Sequence, residues 1–148
     1  MLSGNLAKLK IPARQMPAAV DGLWEHTCFE AFVGVEGENR YHEFNFSPSG
    51  QYAAYAFSAY RERDEWQPIQ VPAISFSEIN NRYELKAAIA QTNLPVNINK
   101  QSYQLGISAV LELYDGQKSY WAFLHPSERP DFHHRDGFIL SINPNEIR

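Results

Sequence analysis

The residues best able to do chemistry lie in two stretches, Trp24 to Asn45 and His125 to Asp136. In the first, Trp24 precedes Glu30 by six positions, and Glu43 and Asn45 follow after a Gly/Glu/Asn turn. In the second, PDFHHRDG gathers Asp131, Phe132, His133, His134, Arg135 and Asp136 into one loop. An indole can stack on the C–H face of a sugar ring, and planar acid, amide and guanidinium groups can satisfy its hydroxyls. Trp24, Glu30, Asn45, Trp121, His125, His133 and Arg135 are the candidates for such a binding face.

The same residues admit other chemistry. His26, His125, His133 and His134 with Glu30 could ligate a metal, but neighbouring His133 and His134 would diverge in an extended chain, and neither an HExxH nor a paired-cysteine spacing is present. His26 lies two residues before Cys28, the spacing of a base and a thiol on one strand face, although a mid-strand cysteine is more often inert core. Glu30 and Glu43 could flank a glycosidic bond if their strands are neighbours. Finally, Trp24, Glu30 and the histidine-rich loop could form a structural network that binds nothing.

Strands must position these groups. Thr27 to Val35, Tyr41 to Phe46 and Tyr52 to Phe57 read as three consecutive strands separated by turn signals. Alternation sets Phe29, Ala31, Val33 and Val35 against Cys28, Glu30 and Phe32, and sets His42, Phe44 and Phe46 against Tyr41, Glu43 and Asn45. Antiparallel pairing would then merge the two polar sets into one shallow surface, with Tyr41 and Glu43 expected to face solvent. Glu30, among apolar neighbours, must find a donor or a cation, because an unpaired buried charge costs several kcal/mol.

Elsewhere, Leu2 to Ile11 suggests a short edge strand, and Pro12 and Pro17 bound a loop that delivers Trp24. SAYRERDEWQP reads as a charged loop or a ragged strand end, with Trp66 covering the edge of the core. Asn80-Asn81 marks a hairpin leading into RYELKAAIA, where Tyr83, Leu85, Ala87 and Ile89 point inward. Tyr103 to Leu124 forms a long hairpin turning at Asp115-Gly116, with both turn residues expected at positive φ and Leu105, Ile107, Ala109 and Leu111 on the inner face. The last strand is placed at Phe138 to Ile142. Eight or nine short strands without βαβ spacing make an all-β fold, a two-sheet antiparallel β-sandwich.

At 148 residues the chain fits one domain, 1–148, able to bury a core without staples. A net charge of −4 and no basic cluster argue against nucleic acid or an anionic membrane as partner. No apolar run reaches the roughly 20 residues of a membrane span. One cysteine excludes an internal disulfide, and with no signal-peptide pattern the expected location is the cytoplasm.

The blocks LWEHTCFEAFVGV, EFNFSPSG, SYWAFLHP and PDFHHRDGF, within Leu23 to Ile142, resemble the DOMON-like domains related to family 9 carbohydrate-binding modules, in their bacterial branch. The resemblance implies a jelly-roll-like β-sandwich without catalytic activity that binds a small carbohydrate or glycan end. In family 9 modules a terminal sugar sits between two tryptophans and is fixed by a Glu, an Asn and an Arg or Gln. Trp24 matches the first tryptophan and Glu30 the acid, whereas Phe132, His133 and His134 fill the loop where the second tryptophan is expected. Other DOMON domains bind haem through a His and a Met. Met1 and Met16 both precede the resembling region, so no cofactor is expected, and haem or metal binding through His26, His125 or His133 is the redox alternative. Relatives carry one more strand ahead of Leu2 to Pro12. Its absence implies a shortened chain or a late start, an exposed sheet edge, and a homodimer formed through that edge.

Overall fold

The computed structural model describes residues 1–147 and is all-β apart from short 3-10 turns. Its ten strands are β1 (Leu2–Ser3), β2 (Cys28–Val35), β3 (Tyr41–Phe46), β4 (Tyr52–Ala59), β5 (Glu62–Asp64), β6 (Ala73–Ile79), β7 (Arg82–Ala88), β8 (Tyr103–Glu112), β9 (Lys118–Ala122) and β10 (Leu140–Ile142). They form two antiparallel sheets, a three-stranded one in the order β1-β7-β6 and a seven-stranded one in the order β10-β8-β2-β3-β4-β5. β9 shares the free edge of β8 with β10: β10 pairs at Tyr103 to Leu105 and β9 at Ser108 to Glu112.

The alternation read from β2 and β3 is the one observed. Ala31, Val33, Val35, Phe44 and Phe46 turn toward the small sheet, where they pack with Tyr103, Ile74 and Leu85. Trp66 closes the edge of this core, tilted against His42 at 4.2 Å between ring centroids and edge-on to Phe44. Behind it, buried Asn93 replaces missing ladder bonds: its Oδ1 accepts from the backbone N–H of Ile69 and Gln70, its Nδ2 donates to Gln70 O, and its own carbonyl binds His42 Nδ1.

Several local expectations need correction. The N-terminal strand stops at Ser3, because Gly4 at φ 121 breaks the extended run and a 3-10 turn follows at Leu6–Lys8. The charged segment holds a true strand, β5, which pairs with the end of β4. Asn80 and Asn81 both adopt positive φ, as a two-residue hairpin requires, whereas at Asp115-Gly116 only Gly116 does. There Leu113 O accepts from Gly116 N and Leu113 N donates to Gln117 O, which makes a longer loop that needs only one left-handed residue. Ala87 lies exposed, and Ile107 is 36% exposed, so neither is the inward-facing residue the alternation gave. The last strand is shorter than expected, starting at Leu140.

The outer face of the large sheet decides where a ligand could sit. Its polar surface is not open: Tyr41 is fully buried and Glu43 is 5% exposed, contrary to the expected solvent-facing arrangement. The reason is the segment from His125 to Phe138, which folds back over that face. Phe138 joins Phe32, Tyr41 and Phe57 in a second apolar cluster, each large ring adding about 2 kcal/mol of burial.

Candidate functional site

The site begins with the register of three strands. Glu30 on β2 lies directly opposite Asn45 on β3 and Ser108 on β8, and Glu43 on β3 lies opposite Phe32 and Tyr55. Glu30, Glu43 and Asn45 thus share the outer face at its centre. The C-terminal loop is pinned on one side of them by three anchors. Asp131 binds Arg61, Nη2 to Oδ1 at 2.9 Å, and accepts from the Tyr60 hydroxyl. His133 meets the Tyr41 hydroxyl through Nδ1 at 2.8 Å. Arg135 lies over Gly34 and donates to Val35 O and to Gln104 Oε1, each at 3.0 Å.

On the other side the loop does not reach, and a cleft of about 480 Å³ remains. Glu30, Glu43 and His133 line its floor, and Trp24, Phe57, Tyr120 and Phe132 form aromatic walls. Arg61, Arg63 and Lys118, all exposed, bring positive charge to the same cleft. Trp24 is held there by a 3-10 turn, Leu23–Glu25, that follows Gly22 at φ 78. Its ring meets Tyr55 edge-on at 6.0 Å and stays 36% exposed. Tyr55 in turn donates to Asp21 and carries Arg63 over its face at 4.0 Å.

The electrostatics of the floor are unusual. Burial, helped by the neighbouring Glu43, pushes the Glu30 carboxyl up to about 8. Its one polar contact is the Ser108 hydroxyl at 3.4 Å, and among the described residues no cation pairs with it. The demand made by its sequence position is therefore met by a proton. Burial also raises Glu43, although Asn45 Nδ2 donates to its Oε1 at 3.0 Å and Arg63 and Arg61 oppose the rise.

His133 is held neutral, pulled down to about 4 by burial and by the Arg61 charge. The Tyr41 hydroxyl accepts from Arg61 N, and among the described residues His133 Nδ1 is the acceptor available to its proton. That assignment leaves the imidazole hydrogen on Nε2, which faces Glu43 Oε2 at 3.6 Å.

Of the seven residues singled out from the sequence, Trp24, Glu30 and His133 line the cleft. Asn45 lies fully buried between Glu30 and Glu43, with its Oδ1 unpartnered. Trp121 does not join them. It pairs with Ala109, so it faces away from Glu30 and Ser108, is 61% exposed and donates to Ser119 Oγ. His125 is exposed, with its ring 6.1 Å from Phe132, and Arg135 is committed to anchoring the loop. Glu43, offered from the sequence as a partner of Glu30 across a glycosidic bond, joins them, and Glu25, Phe57, Arg61, Arg63, Val110, Lys118, Tyr120, Pro130 and Phe132, not singled out as binding residues, complete the cleft. Strand parity could have found Tyr120 and Lys118, which alternate with Trp121.

The histidines offered for metal ligation lie apart. His26 Nδ1 bonds Glu112 Oε2 at 2.8 Å, and among the described residues no group of three or more His, Cys, Asp or Glu is placed to hold a metal ion. Cys28 is fully buried, and burial followed by the Glu30 charge pushes its thiol well up from the usual range. A thiol reagent is accordingly expected to leave the native protein unmodified over minutes and to titrate one thiol once guanidinium chloride unfolds it. Rapid native labelling would show that the strand opens locally.

No family model matches the chain, and no curated protein does. A similar solved structure is that of a "putative carbohydrate-binding protein" from Bacteroides uniformis, at 18% identity and a TM-score of 0.59. The superposition covers 89% of this chain and 65% of that one, so the chain spans slightly less than two thirds of its neighbour. The likeness establishes the shared β-sandwich fold.

Proposed function

We propose that the protein is a non-catalytic module that binds a small carbohydrate or glycan end in the cleft between Trp24 and the C-terminal loop. The observation that carries this reading is the cleft itself: an accessible indole beside two buried carboxyl groups, one of which has no cation to hold it. Trp24, Tyr120 and Phe132 give stacking surface, and Glu30, Glu43 and His133 give directed polar groups below it. The fold shared with the Bacteroides protein and the Trp24–Glu30 spacing shared with family 9 modules support the same reading. Phe132, on the loop where that family places its second tryptophan, supplies an aromatic wall in its stead.

Isothermal calorimetry against a panel of mono- and disaccharides tests it. Wild-type protein is expected to give saturable heat with at least one sugar, and Trp24→Ala to weaken that binding at least tenfold, about 1.4 kcal/mol, with little change in melting temperature. No signal at millimolar sugar would overturn the reading.

The Glu30–Glu43 pair favours a second reading, because a protonated carboxyl beside an ionisable one is the arrangement glycoside cleavage uses. Release of nitrophenol from nitrophenyl glycosides, abolished in Glu30→Gln, would favour hydrolysis over simple binding.

A further inference from the structure

The floor of the cleft carries a buried carboxyl with no cation beside it. Asn45, 0% exposed, donates one of its two amide hydrogens to Glu43 Oε1 and leaves Oδ1 with no partner. Glu30, opposite it and 5% exposed, meets one long contact from Ser108. Buried polar atoms are rarely left unmatched, and of these two it is Glu30 that lines the cleft, so a ligand group can reach its carboxyl.

A sugar hydroxyl brings one hydrogen and two lone pairs, and the lone pairs would face the same acceptors. An ammonium brings three hydrogens, no lone pair, and the charge that Glu30 lacks. The walls agree, since the faces of Trp24, Phe57, Tyr120 and Phe132 attract cations.

The cations of the cleft do not already fill this role. Arg61 is bound to Asp131, Arg63 lies on Tyr55, and Lys118 stands on β9 opposite Glu112. All three are exposed, and none makes a polar contact with Glu30.

We infer that the cleft is built for the protonated amino group of its ligand, an amino sugar taken in preference to the neutral sugar, with the ammonium set on Glu30 where that carboxyl reaches the cleft floor. This rests on the carbohydrate reading above and narrows its ligand class. The groups facing Glu30 are Ser108 from β8, Asn45 and Glu43 from β3, and Cys28 and Phe32 from its own strand, with neutral His133 reaching Glu43 from the loop. At pH 6 Glu30 carries a proton in the free protein, so an incoming ammonium displaces it to the buffer.

The test is calorimetry at pH 6 with glucosamine, galactosamine and mannosamine, their parent hexoses and their N-acetyl forms, each in two buffers of different ionisation heat. At least one amine is expected to bind tenfold or more tighter than its parent and N-acetyl form, with close to one proton released per ligand. Glu30→Gln, checked by its melting curve, is expected to lose both the preference and the proton release. The wild-type comparison stands even if that variant misfolds. Parent or N-acetyl sugars binding as tightly as the amines would overturn the amine site and leave the sugar reading intact. Cyclohexylamine binding with no sugar response would uphold the amine site and remove the sugar. No binding by any of them would overturn both.

Discussion

Replacing Glu30 with glutamine is expected to stabilise the protein by roughly 3 kcal/mol at pH 8.5 relative to its effect at pH 5.5, and to flatten much of the loss of stability on the alkaline side. The sign follows from proton counting. The carboxyl titrates near 4.5 unfolded and at about 8 folded, so between those values the folded state holds an extra proton. Stability is full below 4.5, falls as pH rises, and levels off above 8. The whole interval corresponds to at most ~5 kcal/mol, of which the span from pH 5.5 to 8 carries roughly 3.

His133 acts in the opposite direction. It titrates near 6.5 unfolded and at about 4 folded, so its contribution is complete above 6.5 and lost as pH falls toward 4. Between 4.5 and 6.5 the two slopes cancel, which predicts a plateau there, a decline from 6.5 to 8 due to Glu30, and a second decline below 4.5 due to His133. Glu43, also raised by burial, adds a loss of the same sign as Glu30's as pH rises above the ordinary carboxylate range. The Glu30→Gln side chain has no charge to bury, and its amide can offer Asn45 Oδ1 the hydrogen it lacks. Urea denaturation of both proteins at pH 5.5 and 8.5 reads this directly. A wild type equally stable at the two values would mean that Glu30 ionises without cost, and that the cleft floor is neither dry nor short of donors.

Why Glu30 was legible in the sequence and its surroundings were not is a matter of range. Alternation is local, so the faces of β2 and β3 could be read from Cys28 to Asn45 alone, and turn chemistry joined them as antiparallel neighbours. The register of β8 is not local. A slip of one residue in β8 or β9 exchanges Trp121 for Tyr120 on the ligand face, and nothing within the hairpin distinguishes the two choices. Composition drew attention to the indole, although parity gives the cleft to the phenol. Arg61 and Arg63 were hidden for a different reason: a charged run reads as solvated, and their place beside Glu43 depends on β5 pairing with the end of β4 at the sheet edge. The covering of Tyr41 and Glu43 by the C-terminal loop had a sequence trace in Gly34 and Gly106, side-chain-free positions on two paired strands. Their meaning emerges only when Arg135 and Phe138 are seen lying on them.

Gly34 gives the sharpest test of that covering. A Cβ there would stand 1.4 Å from Arg135 Nη1, so Gly34→Ala must expel the guanidinium or bend β2. Expulsion costs the bonds from Nη2 to Val35 O and Gln104 Oε1 and the contact of the guanidinium over the Phe138 ring at 4.9 Å. A loss of roughly 3 kcal/mol is expected, at the upper end for overpacking, because the displaced group leaves acceptors behind it. Gly34 is not at positive φ, so the alanine backbone itself is unstrained and the penalty belongs to the contact. In an Arg135→Ala background the same substitution should therefore cost under about 1 kcal/mol, a coupling of about 2 kcal/mol in a double-mutant cycle. If Gly34→Ala costs as much without Arg135 as with it, the strand and not the guanidinium rejects the methyl group, and Arg135 is no anchor. If the coupling is found, both single variants should also weaken ligand binding without touching the ligand, because the loop that Arg135 pins is the one that brings Phe132 and His133 to the cleft.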